Sequence, residues 1–274
     1  SILPIMDGMA KYLSSELDVI QIVWGRYFFM VIISLPVTYI FFREKLTWPK
    51  NLNIQFIRSL FLFISTVLFF YAISILPLAD SLTLMFISPI IVTFLSVVLL
   101  KEKVGIRRWS AVIVGFIGAL IVIRPGFNEI NLATLAALGA GFGYALYIIS
   151  TRKLSHTDNP LLTLIFTGLS GAIIVSIFVP FFWNSLNLYQ WFFLFGLAAV
   201  GTLGHFFLIL SLNLAEASKL APFSYFEIVS NVIIGYYFFG DFPDIWIWIG
   251  LSILVSSGIY ISIRENIKSK LKNK

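Results

Sequence analysis

The stretch APFSYFEIVSNVIIGYYFFGD, Ala221 to Asp241, decides how the chain is read. It is apolar, and at 1.5 Å per residue a helix of this length reaches across the roughly 30 Å hydrocarbon core of a bilayer. Yet Glu227 stands near its middle, with Asn231 one turn later. A carboxylate at that depth costs about 2.5 kcal/mol or more on insertion scales, so a span that keeps one has a use for it. Ser224, Glu227 and Asn231 are spaced three and four apart and stack on one helical face. Gly235 extends that face and lets another helix come close. Pro222 removes a backbone hydrogen bond one turn earlier. Such a polar stripe faces a water-filled cavity or a polar partner, not lipid. The competing reading is a protonated Glu227 that merely bonds a neighbouring helix as packing glue.

The rest of the chain agrees with a membrane setting. Of 274 residues 59% are hydrophobic and 12% charged, against about 25% charged in soluble domains. A soluble domain of this size has too little interior for that much Phe, Ile and Leu. The expectation is an all-α polytopic membrane protein. With no Cys, disulfides, thiolate nucleophiles and Cys-ligated metals drop out. Two lone histidines without ligand spacing make no metal site, and no cofactor is expected. The net charge of +6 does not point to nucleic acid, because no basic face with interleaved polar residues exists. The run Ser1 to Leu13 is too short to cross a bilayer. It reads as the last part of a first transmembrane helix whose beginning precedes this numbering. A signal-peptide core is the alternative, but the run ends in AKYL rather than in small residues.

Further spans fall at 19–42, 55–76, 80–100, 107–124, 131–152, 160–183, 190–212, 219–240 and 244–264, which makes ten. Placing both termini in the cytoplasm puts 16 of the 19 Lys and Arg in inner connections, Arg58 and Arg108 among them; only Lys11, Arg26 and Arg124 fall toward the other side. The two halves echo each other. GALIVIRPG (118–126) parallels GIYISIREN (258–266), LAD (78–80) parallels LAE (214–216), and VVLLKE ending at Glu102 parallels YFFGD ending at Asp241. Five spans per half would set the second half upside down in the membrane, an inverted 5+5 repeat around a central cavity. The expected units are 1–126, 127–265 and a basic cytoplasmic tail, 266–274. Chance likeness among apolar segments is the alternative to a true repeat.

The residues MDGMAKYL (6–13), GRYFF (25–29), AISILPLADSLTLMFISPIIVTFLSVVLLKE (72–102), VGFIGALIVIRPG (114–126) and APFSYFEIVSNVIIGYYFFGDFPD (221–244) carry a family resemblance. The chain resembles the drug/metabolite transporter superfamily, in members built from two EamA-type five-helix domains. Its pattern is most similar to S-adenosylmethionine transporter-like members, where an Ala-Pro and an aromatic–x–Glu also occur in the ninth helix. The resemblance implies ten helices, a central cavity, residence in the bacterial cytoplasmic (inner) membrane, and movement of metabolites without ATP hydrolysis.

Of 13 acids only Asp7 and Glu227 lie inside spans, and of the basic residues only Arg26 lies well inside one. Such groups are functional candidates by default. Asp7 and Arg26 sit at similar depth on consecutive antiparallel helices, which permits a salt bridge. That pair would either brace the first hairpin or clamp substrate, with Arg26 docking a carboxylate. The candidate substrate-binding set is Glu227, Asn231, Ser224, Tyr225, Arg26, Asp7, Trp24, Tyr144, Tyr147, His205 and Ser88. Tyr144 and Tyr147 share a face of the sixth span beside GAGFG (139–143), and Pro89 next to Ser88 marks a kinked fourth helix, counterpart of the ninth. Aromatics beside an acid suit an organic cation, although rings are so abundant here that each is as easily packing. No phosphate-binding loop supports a pump and no nucleophile constellation supports an intramembrane enzyme. A purely structural membrane protein has no use for a mid-depth Glu and Asn. The expected activity is secondary transport of a small amine-containing or zwitterionic metabolite, amino-acid-like or S-adenosylmethionine-like. A proton or counter-substrate would be the coupling partner. Export of amino acids or amphipathic drugs is the alternative.

Overall fold

Capping residues set where several helices begin. In the computed structural model, α1 (Leu3–Leu13) carries Pro4 in its first turn, where the missing N–H costs nothing and the ring pre-sets the helical φ. Asp18 caps α2 (Val19–Phe41) by accepting from the Ile20 amide at 2.8 Å. Asn131 and Asn159 do the same for α7 (Leu132–Leu154) and α8 (Pro160–Phe178). Asn187 and Gln190 form a reciprocal capping box on α9 (Leu188–Leu214). The remaining elements are α3 (Leu52–Ile75), α4 (Leu78–Met85), α5 (Ser88–Leu100), α6 (Ile106–Ile123), α10 (Ala217–Leu220) and α11 (Phe226–Ile234). The structure describes residues 2–45, 48–123, 131–155 and 157–240, together with 245–246, 248–250, 252–253, 255–257 and 259–260. Arg124, His156, Asp241, Asp244, Arg264 and the 266–274 tail, used above, lie outside the described residues.

No strand occurs among the described residues. Five helices there are long and apolar enough to cross a membrane: α2, α3, α7, α9, and α8 with its 3-10 extension to Phe182. Their exterior is apolar, with Ile40, Phe41, Phe181 and Phe192 all exposed, while Gln21, Arg26, Gln55, Arg58 and Thr151 are buried. This distribution reverses that of a soluble protein and is what hydrocarbon solvent requires. Arg58 differs from its expected place. It sits in the second turn of α3, fully buried, donating to Gln55, Thr151, the Thr163 carbonyl and Thr167. It thus ties α3 to α7 and α8.

Two expected spans are broken. The 80–100 span divides into α4 and α5 at Phe86–Ile87, because Pro89 has no N–H to give and its ring crowds the preceding turn. The 219–240 span divides into α10, a 3-10 segment (Ala221–Tyr225) around Pro222, α11, and a π-helical turn (Gly235–Phe239). The Ser224–Glu227–Asn231 stripe is therefore not one regular α-helical face. α3 packs most extensively on α7, and α2 on α8 and α9. Small residues permit this. A Cβ at Gly171 of α8 would stand 2.3 Å from the Tyr27 ring of α2, and one at Gly141 of α7 would stand 2.5 Å from the Met85 carbonyl.

Candidate functional site

The breaks in the 80–100 and 219–240 stretches open onto one cavity. Met85, Phe86 and Ser88 reach it from the first break, Ser224 and Glu227 from the second. Asp7 comes from α1, Arg26 from α2, Ser65, Thr66 and Phe70 from α3, Tyr144 from α7 and His205 from α9. The space open to the centre of a water-sized sphere is about 50 Å³, enough for a few waters. Broken helices lining a cavity are the tolerated form of irregular backbone at membrane depth, because freed polar groups there have water or side chains to meet.

Seven of the eleven sequence candidates line this cavity: Asp7, Arg26, Ser88, Tyr144, His205, Ser224 and Glu227. Asp7 and Arg26 nevertheless form no ion pair with each other. Arg26 donates instead to Thr66 Oγ1 through Nη1, and its Nη2 lies 2.7 Å from His205 Nε2. Its guanidinium carbon stands 5.0 Å from the Tyr27 ring centre and 5.8 Å from that of Phe70.

The other four candidates lie off the cavity, for identifiable reasons. Trp24 and Tyr225 each lie two residues from a cavity residue, and positions i and i+2 do not share a helix face. Trp24 joins a ring cluster with Phe28, Trp183 and Trp191, and donates to Ser176 Oγ at 3.2 Å. Tyr225 is buried against Phe86 and donates to the Val112 carbonyl at 3.1 Å. Asn231 folds back on its own helix, Nδ2 donating to the Glu227 carbonyl at 3.0 Å, while its buried Oδ1 has no partner. Tyr147 stands behind His205, its hydroxyl 3.5 Å from Nδ1. Thr66 and Ser65 are cavity residues that sequence reasoning passed over. Hydroxyls inside an apolar span are common and usually bond back to the preceding turn, as Thr66 does to the Leu62 carbonyl.

One end of the bundle is closed by charged groups. Glu102, just past α5, accepts from the amides of Ala217 and Ser218 at 3.0 Å each and from Ser218 Oγ at 2.6 Å, so it caps α10. Arg152 Nε of α7 lies 3.6 Å from the same carboxylate, and Arg152 also donates to the Leu212 carbonyl near the end of α9. Arg108 of α6 pairs with Glu216 at 2.8 Å. At the opposite side of the fold, Lys11 of α1 donates to the Ile73 and Leu76 carbonyls at the end of α3.

A bundle of apolar helices enclosing two acids and an arginine is an arrangement suited to a small-molecule membrane transporter. The EamA-like transporter family model matches residues 5–124 and again 131–263, and the chain belongs to that family. Among its relatives is the S-adenosylmethionine uptake transporter of Rickettsia bellii, 27% identical over 259 residues that cover 94% of this chain and 89% of that protein. The riboflavin transporter of Vibrio cholerae is 27% identical over 270 residues, covering 97% and 91%. The pseudopaline exporter of Pseudomonas aeruginosa is 27% identical over 253 residues, covering 88% and 84%. A solved crystal structure superposes with a TM-score of 0.77 over 94% of this chain and 92% of the other at 14% identity, a likeness of fold.

Proposed function

We propose that this chain is a secondary transporter of the bacterial cytoplasmic membrane, both termini cytoplasmic, that moves an S-adenosylmethionine-like zwitterion by alternating access. The observation that carries the reading is the set of ionisable groups lining the cavity: two carboxyl groups, Asp7 and Glu227, and one guanidinium, Arg26. S-adenosylmethionine carries a sulfonium, an ammonium and a carboxylate, the complement of that set. Tyr144 and Phe86 add ring faces that suit a sulfonium or an adenine. Riboflavin has neither a fixed cation nor a carboxylate, so it would meet the two acids and the arginine only through neutral hydrogen-bonding groups, without opposite charge. A simple amino acid answers one acid and the arginine. The second acid would then hold a proton, which makes proton-coupled amino-acid export the alternative.

An inverted repeat supports alternating access. If α1 to α6 form five spans and α7 onward another five, exchanging the halves maps the α3–α7 contact onto α9–α1, α3–α8 onto α9–α2, α2–α3 onto α8–α9, and α2–α8 onto itself, and each of these contacts is present. Side chains follow the same exchange. Gln55 donates to Asp158 at 2.8 Å and Gln190 to Glu16 at 2.7 Å. Lys11 caps α3 where Arg152 caps α9. Ligand sites usually enclose about 300–1,000 Å³, so a cavity of about 50 Å³ is a constricted state that must widen to load. The ionic closure at Glu102 is a contact that such widening would break.

The test is uptake of labelled S-adenosylmethionine into proteoliposomes without nucleotide. Saturable flux, suppressed by excess unlabelled compound, is expected. Flux no greater than that of empty liposomes refutes the substrate.

A further inference from the structure

Arg26 shares its cavity with two carboxyl groups yet makes no ion pair with Asp7 of α1; its terminal nitrogens go to Thr66 and His205 instead. Something holds it off. A guanidinium has five N–H donors in a rigid plane and no acceptor. His205 Nε2, 2.7 Å from Arg26 Nη2, must therefore accept. The histidine proton then sits on Nδ1, facing the Tyr147 hydroxyl oxygen 3.5 Å away, and the ring is uncharged. Thr66 is set in the same sense. Its hydroxyl proton goes to the Leu62 carbonyl at 2.8 Å, which leaves lone pairs for Arg26 Nη1. Two acceptors, one on α3 and one on α9, thus take one N–H from each terminal nitrogen and fix the plane of the guanidinium.

We propose that Thr66 and His205 are positioning residues that keep Arg26 from neutralising itself on the cavity carboxylates, so that its remaining N–H edge forms a carboxylate subsite for the transported zwitterion. Without either acceptor the guanidinium is free to turn toward Asp7 or Glu227. The anion subsite and a cation subsite then cancel together. The preference for a carboxylate-bearing substrate thus belongs to the three residues jointly. This rests on the transport reading above, and the subsite deepens it by assigning which part of the substrate each half of the cavity meets.

The test compares inhibition of labelled S-adenosylmethionine uptake by unlabelled S-adenosylmethionine and by its decarboxylated form. A charge-assisted contact to the carboxylate predicts that the wild-type protein prefers the intact compound by about ten- to a hundredfold. In Thr66→Val and His205→Leu the ratio should fall toward one, with KM for the intact compound rising by the same factor. Thr66→Ser and His205→Gln keep an acceptor and should keep the preference. A ratio unchanged in Thr66→Val and His205→Leu overturns the proposal. A second measurement needs no substrate. The chain has two histidines, so ¹⁵N spectra of the full chain in detergent, assigned with His205→Gln, report the tautomer of His205. A proton on Nδ1, and an Nε2 signal that shifts in Arg26→Met, are expected. A proton on Nε2, or a signal indifferent to Arg26→Met, overturns the positioning role even if transport is confirmed. Absence of S-adenosylmethionine uptake by the wild-type protein refutes the substrate reading instead and leaves the histidine signal to decide this one.

Discussion

Glu102→Gln is the sharpest perturbation of the closed end. The native carboxylate takes three hydrogen bonds from α10, those from the Ala217 and Ser218 amides and from Ser218 Oγ, and stands 3.6 Å from Arg152 Nε. Glutamine keeps the size but has one oxygen, and its NH₂ meets donors. At least one bond is lost outright and the charge is lost from the rest. Hydrogen bonds to charged groups are worth about 1.5–3 kcal/mol each, so roughly 2–4 kcal/mol leaves any state that joins α5 to α10. At 1.4 kcal/mol per tenfold, the population open at this end should rise by about thirty- to several-hundredfold. Ser88 lines the cavity and the chain has no Cys, so Ser88→Cys gives a single reporter. Modification by a membrane-impermeant maleimide from the side where α5 ends should accelerate in the Glu102→Gln background, while uptake falls. An unchanged labelling rate with only a lower melting temperature would refute the gate and leave Glu102 as a helix cap.

Glu227→Gln should fold normally and lose most uptake, because glutamine preserves shape but cannot ionise; wild-type uptake by the well-folded variant would show that Glu227 is packing. Lys103→Cys and Asn184→Cys, each in the otherwise Cys-free chain, should label from opposite faces with Lys103 inside, as the charge bias requires; labelling from one common face contradicts the topology. Gly171→Ala drives a methyl into the fully buried Tyr27 ring and should destabilise the protein by about 1–3 kcal/mol. A thermal melt matching wild type would mean that α8 and α2 separate there at little cost.

Much of the architecture was legible because hydrocarbon leaves few options. Long apolar runs must be helices, since only a helix satisfies its own backbone in lipid, and this rule alone locates α2, α3, α7, α8 and α9. The same scarcity of charge flagged Asp7, Arg26 and Glu227, which the structure brings to one cavity. The breaks in the 80–100 and 219–240 stretches were signalled by Pro89 and Pro222, but not their extent. A proline says where a hydrogen bond is missing, whereas the 3-10 and π-helical turns around Glu227 depend on what the neighbouring helices leave room for.

Tertiary structure alone decided the partners. Equal depth made Asp7 and Arg26 look like a pair. Yet depth fixes only one coordinate of three, and Thr66 and His205, 40 and 179 residues away in the chain, won the contact. Trp24 and Tyr225 show the converse: nearness in sequence to a charged residue points a helical side chain elsewhere. Arg58 shows the limit of charge as a topology signal, because a cation near a span end is either solvated or, as here, swallowed by hydroxyls and carbonyls of α7 and α8. The sequence determines which groups are too costly to be idle in lipid; which of them meet is decided by helix rotation and crossing, set by glycines such as Gly141 and Gly171 whose partners lie far along the chain.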